Sequence, residues 1–181
     1  MTGPASSVLI GELAQSHLDA GYNLGRWLLG NDHDAADAVH DAFVRALRSA
    51  GTYSGGSARA WWLAIVRNCC LSRLAGRGRD ALHGAIDVAQ VAEPARDEAD
   101  PVQARVEADQ RRALLARSLQ ALPAEFREAL VLREIEDLSY REIADVLQVP
   151  IGTVMSRLAR GRALLQRALA AATAGDPNHG L

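Results

Sequence analysis

Leu9, Leu13, Leu24, Trp27 and Leu28 recur at helical spacing between Val8 and Leu29, which predicts a first amphipathic helix over that stretch. Gly30, Asn31 and Asp32 follow as its C-cap and turn. Val39, Phe43 and Leu47 fall at i, i+4 and i+8, one face of a second helix over 34–50. The run GTYSGGS, residues 51–57, is a glycine-rich turn whose Ser57 is placed to cap a third helix, from Ala58 to about Leu74. Farther on, LQALP ends one helix at Pro123, and Ala124 to Ile135 forms another with Phe126, Leu130 and Val131 inward.

At about 100° per residue, the third helix divides cleanly. Trp62, Val66, Cys69, Cys70 and Arg73 fall on one side, while Trp61, Ala64, Asn68 and Ser72 fall on the other. An outward tryptophan above an outward asparagine, on a helix with only basic charges, fits unpaired nucleic acid. Aromatic rings stack on bases, amides bond base edges, and arginines hold phosphates. The competing reading has Trp61 packed against a neighbouring segment.

The last signal along the chain is LSYREIADVLQVPIGTVMSRLARGRALL. Ser139 and Glu142 form a capping box at the head of a short helix whose inner face is Ile143, Ala144 and Leu147. Gln148 to Ile151 makes a turn, and Gly152 or Thr153 opens a final helix. Val154, Leu158, Gly161 and Leu165 form its inward stripe; Thr153, Ser156, Arg160 and Ala163 face out, with Arg157 beside them. Short helix, tight turn and longer arginine-bearing helix make a helix-turn-helix. Its small polar residues suit base edges in the major groove, and Arg157, Arg160, Arg162 and Arg167 suit phosphates.

Composition sharpens this picture. The chain has 181 residues, 49% of them hydrophobic, with only 4% aromatic, and alanine and leucine dominate. That balance predicts an all-α fold of two small helical domains joined by a flexible acidic linker. The first domain is expected over 8–79, the linker over 80–104, the second domain over 105–172 and a frayed tail over 173–181. Formal net charge is −2, yet its distribution is uneven. Residues 81–110 carry two arginines against seven acids; residues 111–170 carry ten arginines against seven acids. Arg59 to Arg79 holds five arginines and no acid, and Ile151 to Ala170 holds four and no acid. A weakly acidic chain thus has two basic surfaces. All its basic residues other than histidine are arginine, which fits a GC-rich genome as readily as selection for phosphate contacts.

Several classes are set aside by the same reading. No apolar run is long enough to span a bilayer, and residues 1–7 lack the pattern of a secretion signal. The adjacent Cys69 and Cys70 make neither a disulfide framework nor a CxxC pair, and the five histidines show no metal-ligand spacing. The expectation is a cytoplasmic protein with no metal, no other cofactor and no catalytic residues.

The strings LLGNDHDAADAVHDAFVRAL, YSGGSARAWWLAIVRN, DPVQARVEADQ, LQALPAEFREALVLREIEDLSYREIADVL and VPIGTVMSRLARGRALL, in this order, resemble extracytoplasmic-function (ECF, group 4) sigma factors of the sigma-70 family. The resemblance runs from about Tyr22 to Leu169. It implies a subunit that binds core RNA polymerase and directs it to promoters by reading a −35 duplex and a melted −10 strand. It places core-polymerase contacts at Asp34, Asp37 and Asp41. It places −10 contacts at Tyr53, Ser57, Arg59, Trp61 and Asn68, and −35 contacts at Thr153, Met155, Ser156, Arg157 and Arg160. Ala36, His40 and Met155 depart from the family pattern, which has an acid, a glutamine and a basic residue there. The loss at Met155 implies a changed −35 preference, by about 1–3 kcal/mol if the lost contact was bidentate. The resemblance also implies an anti-sigma factor as a partner. Two other readings compete: a stand-alone helix-turn-helix regulator, and a sigma mimic that sequesters an anti-sigma factor.

Overall fold

A computed structural model describes residues 11–12, 15–49, 53, 55–80 and 102–174 of the chain. Most of the predicted linker and the end of the predicted tail lie outside the described residues. Among those described, the structure is helical with no strand: α1 (Leu18–Leu29), α2 (Asp32–Arg48), α3 (Ala58–Asp80), α4 (Val102–Gln120), α5 (Ala124–Leu130), a π-helical turn (Val131–Ile135), α6 (Tyr140–Leu147) and α7 (Ile151–Ala174).

Local chemistry sets the boundaries. Gly30 takes the left-handed conformation (φ 79°) and its N–H reaches the Arg26 carbonyl, closing α1. Asn31 then caps α2, its side chain accepting from the Asp34 N–H at 2.9 Å. That cap starts α2 at Asp32, two residues ahead of the predicted Asp34. Ser57 caps α3 by accepting from the Ala60 N–H at 3.3 Å. α3 runs on to Asp80, past the predicted end near Leu74.

Two boundaries in the second unit differ from expectation. The single helix predicted from Ala124 to Ile135 widens after Leu130 into a π-turn, whose last bond runs from Glu136 N–H to Val131 O at 3.0 Å. The final helix opens at Ile151, before Gly152, because the Pro150 carbonyl accepts from both Thr153 and Val154 at 2.9 and 3.2 Å.

The wheel of the third helix is confirmed on its inner side: Trp62, Val66, Cys69 and Cys70 are all buried. Trp62 is fully enclosed, and its indole N–H donates to the His17 carbonyl at 2.9 Å. In the second unit Ile143, Ala144, Leu147, Val154 and Leu158 are buried as predicted. Burying each large side chain contributes about 1.5–3 kcal/mol, which is what holds these short helices in place. The two units do not stand apart. Their buried residues form one continuous core, with α3 packed on α6 and α1 on α5.

Candidate nucleic-acid interface

α2 carries the three acids expected to meet the polymerase. Asp34 is held in the Asn31 cap, where its carboxylate also accepts from the Asn31 amide. Asp37 and Asp41 share the Arg73 guanidinium of α3 at 3.4 and 2.7 Å, and both stay about half exposed. The hydrogen bond to Asp41 is the main reason the Arg73 pKa is raised. Asp37 also lies 3.7 Å from His33 Nδ1. The acidic row is therefore accessible, but one cation already offsets part of its charge.

The expected −10 reader gathers around the start of α3. Gly55 and Gly56 both take positive φ (92° and 95°), conformations open to glycine without strain. They fold the loop back so that Tyr53 Oη donates to the Gly56 carbonyl at 3.0 Å. Tyr53 and Trp61 rings meet at 5.4 Å between centroids, tilted by 57°. Trp61 is thus half-buried, not fully outward: it packs partly against Tyr53 and the core margin while keeping an exposed side. Asn68 is exposed, as the wheel required.

Asn68 lines an open cleft of about 370 Å³ together with Arg45, Arg48, Ser49 and Ile65. The sequence reading missed the two arginines of this cleft. Their signal was present as an i, i+3 pair at the end of α2, but only the packing of α2 on α3 aims them at Asn68.

The helix-turn-helix is built as predicted. Ser139 and Glu142 close the capping box: the Ser139 N–H donates to Glu142 Oε2 at 2.9 Å, and the Glu142 N–H donates to Ser139 Oγ at 3.3 Å. Gln148 ends α6 in the left-handed region at φ 56°. On α7, Met155, Ser156 and Arg160 are exposed and Thr153 is half-exposed. Arg157 is withdrawn: it lies 3.4 Å from Glu128 and 3.5 Å from Glu125, with its side chain only 20% exposed. Its sequence-assigned role as a −35 contact therefore competes with an internal one.

The acids of the second unit also reach into the first. Arg67 of α3 makes a two-pronged bond to Glu128 at 2.8 and 3.0 Å, and Glu128 is buried. Arg59 pairs with the buried Glu136. The Glu142 pKa is lowered, first through the Ser57 side chain across the unit boundary and then through the bonds from Ser139. Gln120 donates to the Trp27 carbonyl at 2.9 Å. Arg59 Nε and Glu136 Oε1 are buried without a hydrogen-bond partner among the described residues. An unsatisfied buried polar atom costs about 1–3 kcal/mol, so this pair is a weak clasp.

The remaining candidate chemistry is quiet. Cys69 and Cys70 are free and buried, and burial pushes the Cys70 thiol up to about 12. Among the described residues no group of His, Cys, Asp and Glu could hold a metal ion. Among them, too, no helix is long and apolar enough to cross a membrane.

Comparison with known proteins agrees with this geometry. Residues 13–80 match the family model for sigma-70 region 2, and residues 112–165 match that for sigma-70 region 4. The chain is 40% identical over 166 residues to the ECF RNA polymerase sigma factor SigE of Mycolicibacterium smegmatis, covering 88% of this chain and 61% of that protein. It is 36% identical to the RNA polymerase sigma-H factor of Pseudomonas aeruginosa, covering 75% of this chain and 73% of that one. Among solved structures it is similar to the sigma factor RpoE of Bartonella quintana, crystallised with the anti-sigma factor NepR. That match has TM-score 0.68 at 27% identity, over 84% of this chain and 91% of that one. CnrH, solved with the cytosolic domain of CnrY, matches with TM-score 0.63 at 26% identity, over 90% of this chain and 88% of that one.

Proposed function

The chain belongs to the ECF family of RNA polymerase sigma factors, a family of non-catalytic specificity subunits, and on that premise we propose that it directs core polymerase to promoters carrying its own −35 and −10 elements. The observation that carries the reading is the exposed face of α7. Ser156 and Arg160 stand free of acid on a helix whose whole length, Ile151–Ala174, contains no carboxylate. A second basic face, with Asn68, Arg45 and Arg48 around one cleft, supplies the −10 reader. Asp34, Asp37 and Asp41 supply the polymerase contact. Cytoplasmic action follows from the polymerase partner. Similarity to a sigma factor solved with its anti-sigma factor supports a regulator of the same kind here.

The described arrangement is a closed one. Arg59 cannot serve promoter DNA while it holds Glu136. The two readers also sit on helices that both pack against α6. Promoter elements centred near −35 and −10 lie about 85 Å apart at 3.4 Å per base pair. The 21 residues from 81 to 101 can span at most about 70 Å, which together with the units themselves reaches that distance. Binding therefore requires the two units to separate.

Run-off transcription with sigma-free core polymerase and a pool of genomic upstream fragments tests the proposal. Discrete transcripts that depend on the protein are expected. Absence of transcripts and of co-elution with core would overturn it. Tight duplex binding without core would then favour a stand-alone regulator, and no DNA binding at all would favour a mimic.

A further inference from the structure

Met155 and Ile151 are the two large apolar side chains left open on α7, at 53% and 44% exposure, while its other large apolar side chains, Val154, Leu158, Leu164, Leu165 and Leu169, are buried or half-buried. They are spaced i, i+4, so they lie together on one face of the first turn and a half. Gly152 beside them has open space where a side chain would stand, so another surface can approach the backbone there. Ser156 and Arg160 continue the same exposed surface.

The first residues of a recognition helix are those that meet base edges in the major groove. The one apolar group offered there is the thymine C5-methyl. A protein partner is a poorer occupant: two side chains fall well short of the roughly 300–600 Å² of apolar patch that marks such surfaces, and their neighbours are polar and cationic. The absence of any acid along α7 favours DNA as well. Methionine, unbranched and polarizable, adapts to a methyl-lined floor.

We propose that Ile151 and Met155 read thymine methyl groups in the −35 duplex, making this chain select A·T pairs at the steps they cover. The inference rests on the sigma-factor reading above. It goes beyond a lost contact at Met155, because it assigns that side chain a positive preference.

The test uses holoenzyme, reconstituted from core and the full chain, on a promoter recovered by the run-off selection. Each thymine of its −35 element, on either strand, is replaced by deoxyuridine, which removes only the methyl. Competition binding is expected to weaken about fourfold at one or two positions, the equivalent of about 0.8 kcal/mol per buried methyl. Met155→Ala should erase the thymine–uracil difference at one of them, and Ile151→Ala at the other or at the same one. Arg160→Ala should weaken both bases equally. If uracil is silent at every position while promoter-dependent transcription persists, the inference fails and the sigma reading stands. A uracil penalty unchanged in both alanine variants would also overturn it. If no fragment yields a protein-dependent transcript, the sigma reading fails first and takes the inference with it.

Discussion

Trp62 is enclosed so tightly that its neighbour has no room for a methyl group. A Cβ placed on Gly21 would stand 2.7 Å from Trp62 Nε1 and 3.1 Å from Val66 Cγ2. Gly21→Ala should therefore destabilise the fold, although alanine is the better helix former by about 1 kcal/mol, because overpacking a rigid core costs about 1–3 kcal/mol. A lower denaturation midpoint with an unchanged denaturant slope is the expected measurement; a higher midpoint would show that Trp62 yields. Trp61, one residue along, has a different environment and, on the proposed reading, a different task. It stays half-exposed against Tyr53, and stacking on an unpaired base contributes about 1–3 kcal/mol. Trp61→Ala should abolish permanganate-reactive thymines near −10 in holoenzyme complexes. A normal melting footprint with a reduced melting temperature would make Trp61 a packing residue only. The neighbouring glycine Gly21 is unremarkable in the sequence, whereas the inward turn of Trp62 was legible from the helical wheel.

At the scale of single elements, α6 depends on its two ends. The Ser139–Glu142 capping box satisfies N–H groups that the first turn leaves open. Ser139→Ala should cost about 1 kcal/mol, read as a lower melting temperature and earlier amide exchange in α6. Gln148 at the other end holds φ 56°, a conformation that costs a side-chain-bearing residue about 1–2 kcal/mol. Gln148→Gly should accordingly raise the melting temperature, unless the 2.6 Å bond from its side chain to the Asp145 carbonyl outweighs the strain. The capping box could be read from the sequence because it needs only residues three apart. The π-turn after Leu130 could not, since Ala124 to Ile135 reads as one unbroken helix until α5 meets its neighbours.

For the whole molecule, the proposed reading makes the contacts between the units the control on access to DNA. Glu136 is buried against Arg59, with atoms of both left without partners. Glu136→Gln should loosen the closed arrangement, seen as a longer distance between labels on α3 and α6 and severalfold tighter binding of single-stranded −10 DNA. Labels that do not move, with unchanged binding, would show that the apolar core alone holds the units together. Acid should act through Glu142. Its pKa is lowered by the Ser57 and Ser139 bonds, so the folded state favours its charged form. The stability it adds is complete above the usual glutamate value of about 4.3 and is lost as pH falls through the lowered folded value. Opening is thus expected only on acidification below the usual glutamate range, and Glu142→Gln should remove that acid-driven step.

The approximate places of the helices, the Ser57 and Ser139 caps, the inner faces of α3, α6 and α7, and the two acid-free basic stretches were determined by the sequence, because each depends on residues within a few positions of one another. The family strings follow from the same local record. Tertiary structure alone decided that Arg59 and Arg67 of α3 face Glu136 and Glu128, 77 and 61 positions away. It also decided that Arg157 turns toward Glu128 instead of solvent, and that Arg45 and Arg48 share a cleft with Asn68. Charge along a chain tells how many cations an element carries. Which of them already hold an acid is settled only when distant elements pack, since Coulomb attraction depends on separation in space and on burial, and neither is written in local sequence.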